Sequence, residues 1–174
     1  MISFIAWTSF SIVLLGFTLS RPHPYRFSRF LAFEGILSLI FLNADTWFRD
    51  PLSVFQILSW ICLAGSFILA SVGFYQIKTQ GNPGGDFEDT ITLIKTGVYK
   101  YIRHPLYASL IIFSLGAFLK NPSPLGCGLV ITTAAGVFWT ANIEERFNLE
   151  RFGDEYREYM DKTHRFIPFF SKID

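Results

Sequence analysis

Four apolar stretches, residues 2–20, 30–48, 52–77 and 125–143, are each about as long as a helix must be to cross a bilayer, roughly 20 residues. Nothing else in the chain constrains its fold as strongly. A segment in lipid has to satisfy its own backbone donors and acceptors, and a helix does so within itself. A hydrophobic content of 51% would not by itself separate a membrane protein from a soluble one; the grouping of those residues does. Glu34 and Asp45 are the main interruptions, both in the second stretch. A fifth stretch, 106–119, is shorter and reaches about 21 Å at about 1.5 Å per residue, so it borrows its preceding turn or joins a tight hairpin. The first stretch has no basic n-region and no clear small-x-small cleavage site, and reads as a span rather than a signal peptide. The expectation is an all-α membrane protein of about five transmembrane helices, a single domain by its 174 residues.

Charge sets the orientation. Arg21, Arg26 and Arg29 follow the first span; Lys78, Lys95, Lys100 and Arg103 lie between the third and fourth; Arg146, Arg151, Arg157, Lys162, Arg165 and Lys172 fill the C-terminal region. Of 15 Lys and Arg residues, only Arg49 and Lys120 fall on the other side. The positive-inside rule then gives a multi-pass protein with its N-terminus outside and its C-terminus cytoplasmic. With a net charge of +1 and basic residues already explained by topology, nucleic acid is not an expected partner. Cys62 and Cys127 sit inside apolar runs as small hydrophobes, and His23, His104 and His164 share no ligand spacing, so no metal site is expected.

Along the chain, residues 1–77 read as a three-span scaffold and 78–174 as the chemically active part. Asp45 and Arg49 have the spacing of a local helical ion pair. Glu34, about one turn inside its span, is expected to snorkel or to pair with Arg29 or Arg26, or else to line a substrate cavity. Gly81-Asn82-Pro83-Gly84-Gly85 ends any helix, and Thr90-Ile91-Thr92-Leu93-Ile94 is too short to span and too apolar for a free linker. Asn121-Pro122-Ser123-Pro124 is a tight turn that makes the last two spans a hairpin. Leu149, Phe152, Tyr156 and Tyr159 then recur at helical spacing among charges, describing a C-terminal cytoplasmic amphipathic helix with Gly153 as a point of close packing. Arg165-Phe166-Ile167-Pro168-Phe169-Phe170 follows as an interfacial anchor or a further part of the site.

Two polar clusters border the last two spans. Gly97-Val98-Tyr99-Lys100-Tyr101-Ile102-Arg103-His104-Pro105-Leu106-Tyr107 brings a cation, an imidazole and phenols to a membrane boundary, and Glu144-Glu145 closes the final span. Taken alone, each has an ordinary explanation: His104-Pro105 as a helix start, Glu144-Glu145 as solvated charge beside Arg146 or Arg151. Together they suggest two halves of one site that holds a charged cofactor for chemistry on a lipid-like substrate.

In sequence these blocks, with Asn121-Pro122, Phe152-Gly153, Glu155-Tyr156, Tyr159 and Arg165-x-x-Pro168, resemble the integral-membrane methyltransferases that include isoprenylcysteine carboxyl and phospholipid methyltransferases. The resemblance covers about residues 90–169 and implies S-adenosylmethionine bound on the cytoplasmic side. By that resemblance Thr92, Leu93, Ile94, Tyr99, His104, Pro105, Leu106, Tyr107 and Glu144 line the cofactor site, with Glu145, Arg103 and Arg165 as candidates for catalytic roles. A sulfonium is a fixed cation that a carboxylate and aromatic faces attract. The implied acceptor is an amphiphilic or prenylated small molecule among membrane lipids, with a carboxyl, amine or other head group, and no protein partner is implied. One departure stands out: where the prenylcysteine enzymes carry a substrate-binding arginine four residues before the aligned glutamate, this chain has Thr140, and Arg103 or Arg165 are its possible substitutes. Ser109 and Asn148 are milder departures. The alternatives are an NADPH-dependent sterol-type reductase, which shares the Arg-His-Pro and late aromatic elements, and a non-enzymatic membrane scaffold or transporter.

Overall fold

The structure, a computed structural model, describes residues 2–20, 24–81 and 92–167. The described residues form six α-helices: α1 (Ile2–Ser20), α2 (Arg26–Leu42), α3 (Val54–Gln80), α4 (Pro105–Leu119), α5 (Pro124–Phe152) and α6 (Asp154–Lys162). Two 3₁₀ turns, Ala44–Thr46 and Gly97–Lys100, complete the regular structure. Each apolar stretch has become a helix. Among the described residues α3 and α5 are long and apolar enough to cross a membrane, while Phe4–Thr18 and α4 are shorter apolar helices. Asn82–Ile91 and Pro168–Asp174 lie outside the described residues, and with them the expectations for the Gly-rich turn, Thr90 and Ile91, and the final Pro-Phe-Phe.

The distribution of side chains is inverted relative to a water-soluble bundle. Phe67 and Ile131 are 75% and 63% exposed, whereas Ser59, Ser66, Ser109, Ser114, Thr133 and Thr140 are buried between helices. Lipid offers large apolar groups as good an environment as a protein core, so interhelical contact selects small residues and hydrogen bonds. The Ser59 and Ser66 hydroxyls of α3 donate to the Gly116 and Ser109 carbonyls of α4 at 2.7 and 2.8 Å. Between α2 and α5 the notches are reciprocal. A Cβ on Gly35 would lie 2.4 Å from Thr133 Oγ1, and one on Gly136 would lie 2.6 Å from the Ser28 carbonyl oxygen.

Local signals explain the helix ends. Ser53 and Ser123 side chains accept from the backbone N–H of Gln56 and Gly126, capping α3 and α5. Pro105 and Pro124 occupy first-turn positions, where no backbone donor is needed. Two boundaries differ from the hydropathy pattern. The second apolar stretch, 30–48, is helical from Arg26 and stops at Leu42, because Asn43 turns its side chain to the Ala117 carbonyl at 2.8 Å. Asp45 consequently sits in a 3₁₀ turn and Arg49 in the turn after it, so no helical register brings the two together. The last stretch continues as helix through Glu144-Glu145 to Phe152, where Gly153 takes φ +56 and separates α5 from α6. A Cβ at Gly153 would meet nothing within 4 Å, so the glycine serves backbone conformation rather than the expected close packing.

At the end of the bundle remote from Pro105, Lys120 is buried. Its ammonium donates to Gln56 Oε1 at 2.9 Å and lies 3.6 Å from the Trp60 ring centroid. Gln56 Nε2 in turn donates to the Thr46 and Lys120 carbonyls. This network fastens the turns after α2 and α4 to the start of α3. Within α2, Glu34 accepts from Ser11 of α1 at 2.8 Å, which replaces the expected pairing with Arg26 or Arg29.

Candidate functional site

The two polar clusters meet. The backbone of Tyr101–His104 runs beside residues 163–165 as a short parallel bridge: His164 N–H donates to Tyr101 O at 3.1 Å, Arg103 N–H to His164 O at 2.8 Å, and His104 N–H to Arg165 O at 3.1 Å. This pairing holds Arg103 and His104 extended just before α4 begins. Glu145, on α5, then receives three cations or donors at one carboxylate. Arg103 Nε donates to Oε1 at 3.0 Å, Arg165 Nε to Oε1 at 3.2 Å and Arg165 Nη2 to Oε2, while His104 Nε2 lies 3.3 Å from Oε1. Arg103 Nη1 also donates to the Met160 and Thr163 carbonyls, and Arg165 Nη1 to Asn142 Oδ1 at 2.8 Å. A charge as buried as Glu145 is tolerated because its partners surround it.

On the other side of this seam lies a cavity of about 550 Å³. Of the residues expected at a cofactor, Leu93, Ile94, Tyr99, His104, Pro105, Leu106, Tyr107 and Glu144 line it. Thr92 does not; it is exposed, and its N–H donates to Gly81 O at 3.3 Å. Of the three candidates for catalytic roles, Arg103 reaches the cavity, whereas Glu145 and Arg165 do not. Glu145 lines instead a separate, open recess of about 450 Å³ with Trp139, Asn142, Arg146 and Met160. Consecutive residues of a helix point about 100° apart, and here α5 turns Glu144 to the cavity and Glu145 to the two arginines.

Glu144 carries an informative atom. Its Oε2 is buried without a hydrogen-bond partner among the described residues, and lies 3.9 Å from His104 Nδ1. An orphaned carboxylate oxygen is costly to bury unless a ligand answers it. The His104 and Tyr107 rings stack at 5.4 Å along the same wall, offering an aromatic face beside that carboxylate. Ile94 and Tyr99 pack with Ile77 under the wall and supply an apolar slot. This donor set, one unpaired carboxylate oxygen with aromatic faces and an apolar recess, suits a cation attached to a flat heterocycle. Tyr159 Oη donates to Tyr99 O at 2.6 Å, tying α6 to the cavity floor. Burial pushes the phenols of Tyr99, Tyr156 and Tyr159 above the ordinary tyrosine value, and Glu144 adds to the rise at Tyr99, so all three are neutral donors at physiological pH.

Sequence reasoning missed a large part of the wall. α1, α2 and the residue that precedes α2 contribute Leu14, Phe17, Tyr25, Arg26, Arg29 and Phe33. Arg29 Nη2 donates to Tyr107 Oη at 3.2 Å, and its guanidinium carbon lies 4.0 Å from the Tyr25 ring centroid. The only hint in the sequence is that Arg26 and Arg29 share one helical face, which topology alone already explains.

The comparisons with known proteins bear on the same region. The chain is similar to a probable protein-S-isoprenylcysteine O-methyltransferase of Oryza sativa subsp. indica, 36% identical over 85 residues, covering 48% of this chain and 44% of the relative. It is similar to the protein-S-isoprenylcysteine O-methyltransferase of Xenopus laevis, 36% identical over 87 residues, covering 49% and 30%. A third relative is methanethiol S-methyltransferase 1 of Bradyrhizobium diazoefficiens, 34% identical over 71 residues, covering 41% and 24%. The matched stretch thus spans less than half the length of each of these relatives. The phospholipid methyltransferase family profile matches residues 54–155, which include α3, α4, α5 and the seam between His104 and Glu145. With more than half its length matched in this way, the chain belongs to the phospholipid methyltransferase family.

Proposed function

We propose that the protein transfers a methyl group from S-adenosylmethionine to a lipid-like acceptor, most readily a carboxylate, at the cytoplasmic face of a membrane. The observation that carries this reading is the orphaned Glu144 oxygen beside the His104 and Tyr107 rings, on the wall of a cavity that continues among apolar helices. When bound, S-adenosylmethionine would supply an electrophilic methyl carbon to the acceptor, leaving as the neutral thioether. Glu144 would hold the cationic end of the cofactor, with His104 and Tyr107 flanking it. Leu93, Ile94 and Tyr99 form the apolar slot. Glu145 touches neither partner in this scheme: it fixes Arg103 and His104, and so positions the wall. Alignment of two bound partners at about 3–3.5 Å carries most of such a reaction, and a carboxylate acceptor needs no base. The wide apolar wall favours an acceptor with a hydrocarbon chain over a small volatile thiol.

Calorimetry on the full chain in nanodiscs tests the cofactor. The expected result is a dissociation constant in the micromolar range, about −8 kcal/mol. Glu144→Gln should weaken binding about tenfold, and Asp45→Asn, at the far end of the bundle, should leave it unchanged. No binding to folded protein would remove the reading. Methyl-labelled cofactor with a lipid extract then tests the acceptor, since methyl esters release methanol in mild base and methylated amines do not.

The same proposal includes five spans, α1 to α5, with the N-terminus outside and α6 in the cytoplasm. Cys62 and Cys127 are free thiols, so labelling requires a background in which both are replaced by serine. Cysteines at Asn121 and at Lys162, both exposed, should then react from opposite sides of intact cells. Reaction from one side would overturn the five-span arrangement.

A further inference from the structure

Apart from the cavity, α5 presents a second continuous face. Trp139, Asn142, Ile143, Arg146 and Leu149 recur along it at helical spacing, and with Met160 of α6 they line the open recess of about 450 Å³. No ligand of the methyl-transfer scheme enters this recess. Its place along the helix is informative. The apolar stretch 125–143 ends at Ile143, and Arg146 follows three residues later, about 4.5 Å further along the axis. Trp139 lies one turn to the other side of Ile143 and is half exposed. An indole followed by a guanidinium is the order met where a helix leaves hydrocarbon for the head-group layer.

The polar groups of the recess are donors without acceptors. Arg146 is exposed, and among the described residues no carboxylate pairs with it, although Glu150 lies one turn along the same helix. Asn142 Oδ1 accepts from Arg165 Nη1 at 2.8 Å. A guanidinium only donates, so this bond fixes the amide with its oxygen towards Arg165 and its NH2 group away from it. That NH2 group has no acceptor among the described residues, and neither has the Trp139 indole N–H. Glu145 is the one carboxylate in the wall, and Arg103 and Arg165 already donate to its two oxygens. What remains is a cation with directed N–H groups and no uncompensated negative charge, a setting for an anion.

We propose that this recess binds the phosphate of an anionic phospholipid from the leaflet on the α6 side. Arg146 and the Asn142 amide take the phosphate oxygens, and the acyl chains run down Ile143, Trp139 and Phe138 towards the middle of the bilayer. A lipid is the occupant, rather than a soluble phosphate, because the donors are set one turn from the hydrocarbon on a face that is otherwise apolar. A choline head group brings its own cation, which Arg146 repels, so lipids of net negative charge are preferred. The site is separate from the methyl-transfer cavity and stands whether or not that reaction is the right reading. Arg165 joins the two places: it holds Asn142 with one nitrogen and Glu145 with the others, so a lipid that steadies Asn142 also steadies the partner of Arg103 and His104.

Native mass spectrometry on the full chain in detergent, which counts retained lipid, tests the assignment. The expected result is one phosphatidylglycerol held about tenfold more tightly than phosphatidylcholine. Arg146→Gln should remove that preference, and Arg146→Lys should keep part of it, since the charge remains without the fork. Asn142→Asp is the sharper variant. Arg165 keeps its acceptor, while a carboxylate oxygen replaces the amide N–H and repels the phosphate, so lipid retention should fall about tenfold. Arg146 and Asn142 are both exposed, so these changes leave the packing of the bundle intact. Lys100→Gln removes an equal charge at an exposed position outside the recess and should change nothing. Inorganic phosphate in millimolar excess should fail to displace the lipid. Equal retention of the two lipids, a loss matched by Lys100→Gln, unchanged retention in Asn142→Asp, or displacement by inorganic phosphate would each overturn the assignment. Cofactor binding, read separately by calorimetry, is untouched by any of these outcomes.

Discussion

Glu145→Ala is expected to lower stability by about 3–5 kcal/mol, the usual consequence of removing one partner from a buried charge network. The reason is the convergence on this carboxylate. Without it, Arg103, whose side chain is 9% exposed, retains only neutral carbonyl acceptors, and His104 loses its neighbour at Nε2. Arg165→Ala should cost much less, because that guanidinium is 28% exposed and water can replace part of the interaction. Arg103→Ala should fall between. Thermal unfolding in a single detergent, read by intrinsic fluorescence, would order the three, and calorimetry would show cofactor affinity lost in the same order. Equal effects from Glu145→Ala and Arg165→Ala would mean that Glu145 is not the centre of the network.

Gly136→Leu is expected to disable the protein as thoroughly from a different place. Even a Cβ at this position would stand 2.6 Å from the Ser28 carbonyl oxygen and 2.7 Å from the Ala32 nitrogen, both backbone atoms that cannot step aside. The α2 and α5 axes would have to separate, taking the Ser28–Thr140 contact with them. Inserting bulk into a close-packed contact costs about 1–3 kcal/mol or more, and here it also withdraws Arg29 from Tyr107. Gly35→Leu should behave similarly, since its Cβ would meet Thr133 Oγ1 at 2.4 Å. Gly128→Leu is the control, having nothing within 4 Å of its Cβ. The expected pattern is a large fall in unfolding temperature for the first two variants and none for the third.

The positions of the helices were legible because hydropathy is a property of contiguous residues. Stretches 52–77 and 125–143 emerge as α3 and α5 for that reason. What ended α2 at Leu42 was not legible, since Asn43 finds its acceptor on Ala117, 74 residues away. The site divides along the same line. His104, Tyr107 and Glu144 could be expected from their blocks, because each lies at a helix edge the sequence already marks. Arg29 could not: an arginine after a span is what topology demands of any membrane protein, and only the approach of α2 to α5 gives this one a further place. Glu145 and Glu144 illustrate the converse. They are adjacent in sequence and alike in chemistry, and the helix turns one to the cavity and the other to the arginines.

The parallel pairing of residues 101–104 with 163–165 has a consequence in time. Arg103 waits for partners 57 and 60 residues further along the chain. During synthesis every apolar helix, α1 to α5, is therefore made before the segment that pairs with Arg103 and His104 exists. The binding wall is thus completed last, when residues 163–165 pair with 101–104 and hold Arg103 and His104 in place. A chain truncated after Phe152 would keep every apolar helix and lack the strand-like partner that holds Arg103 and His104 extended.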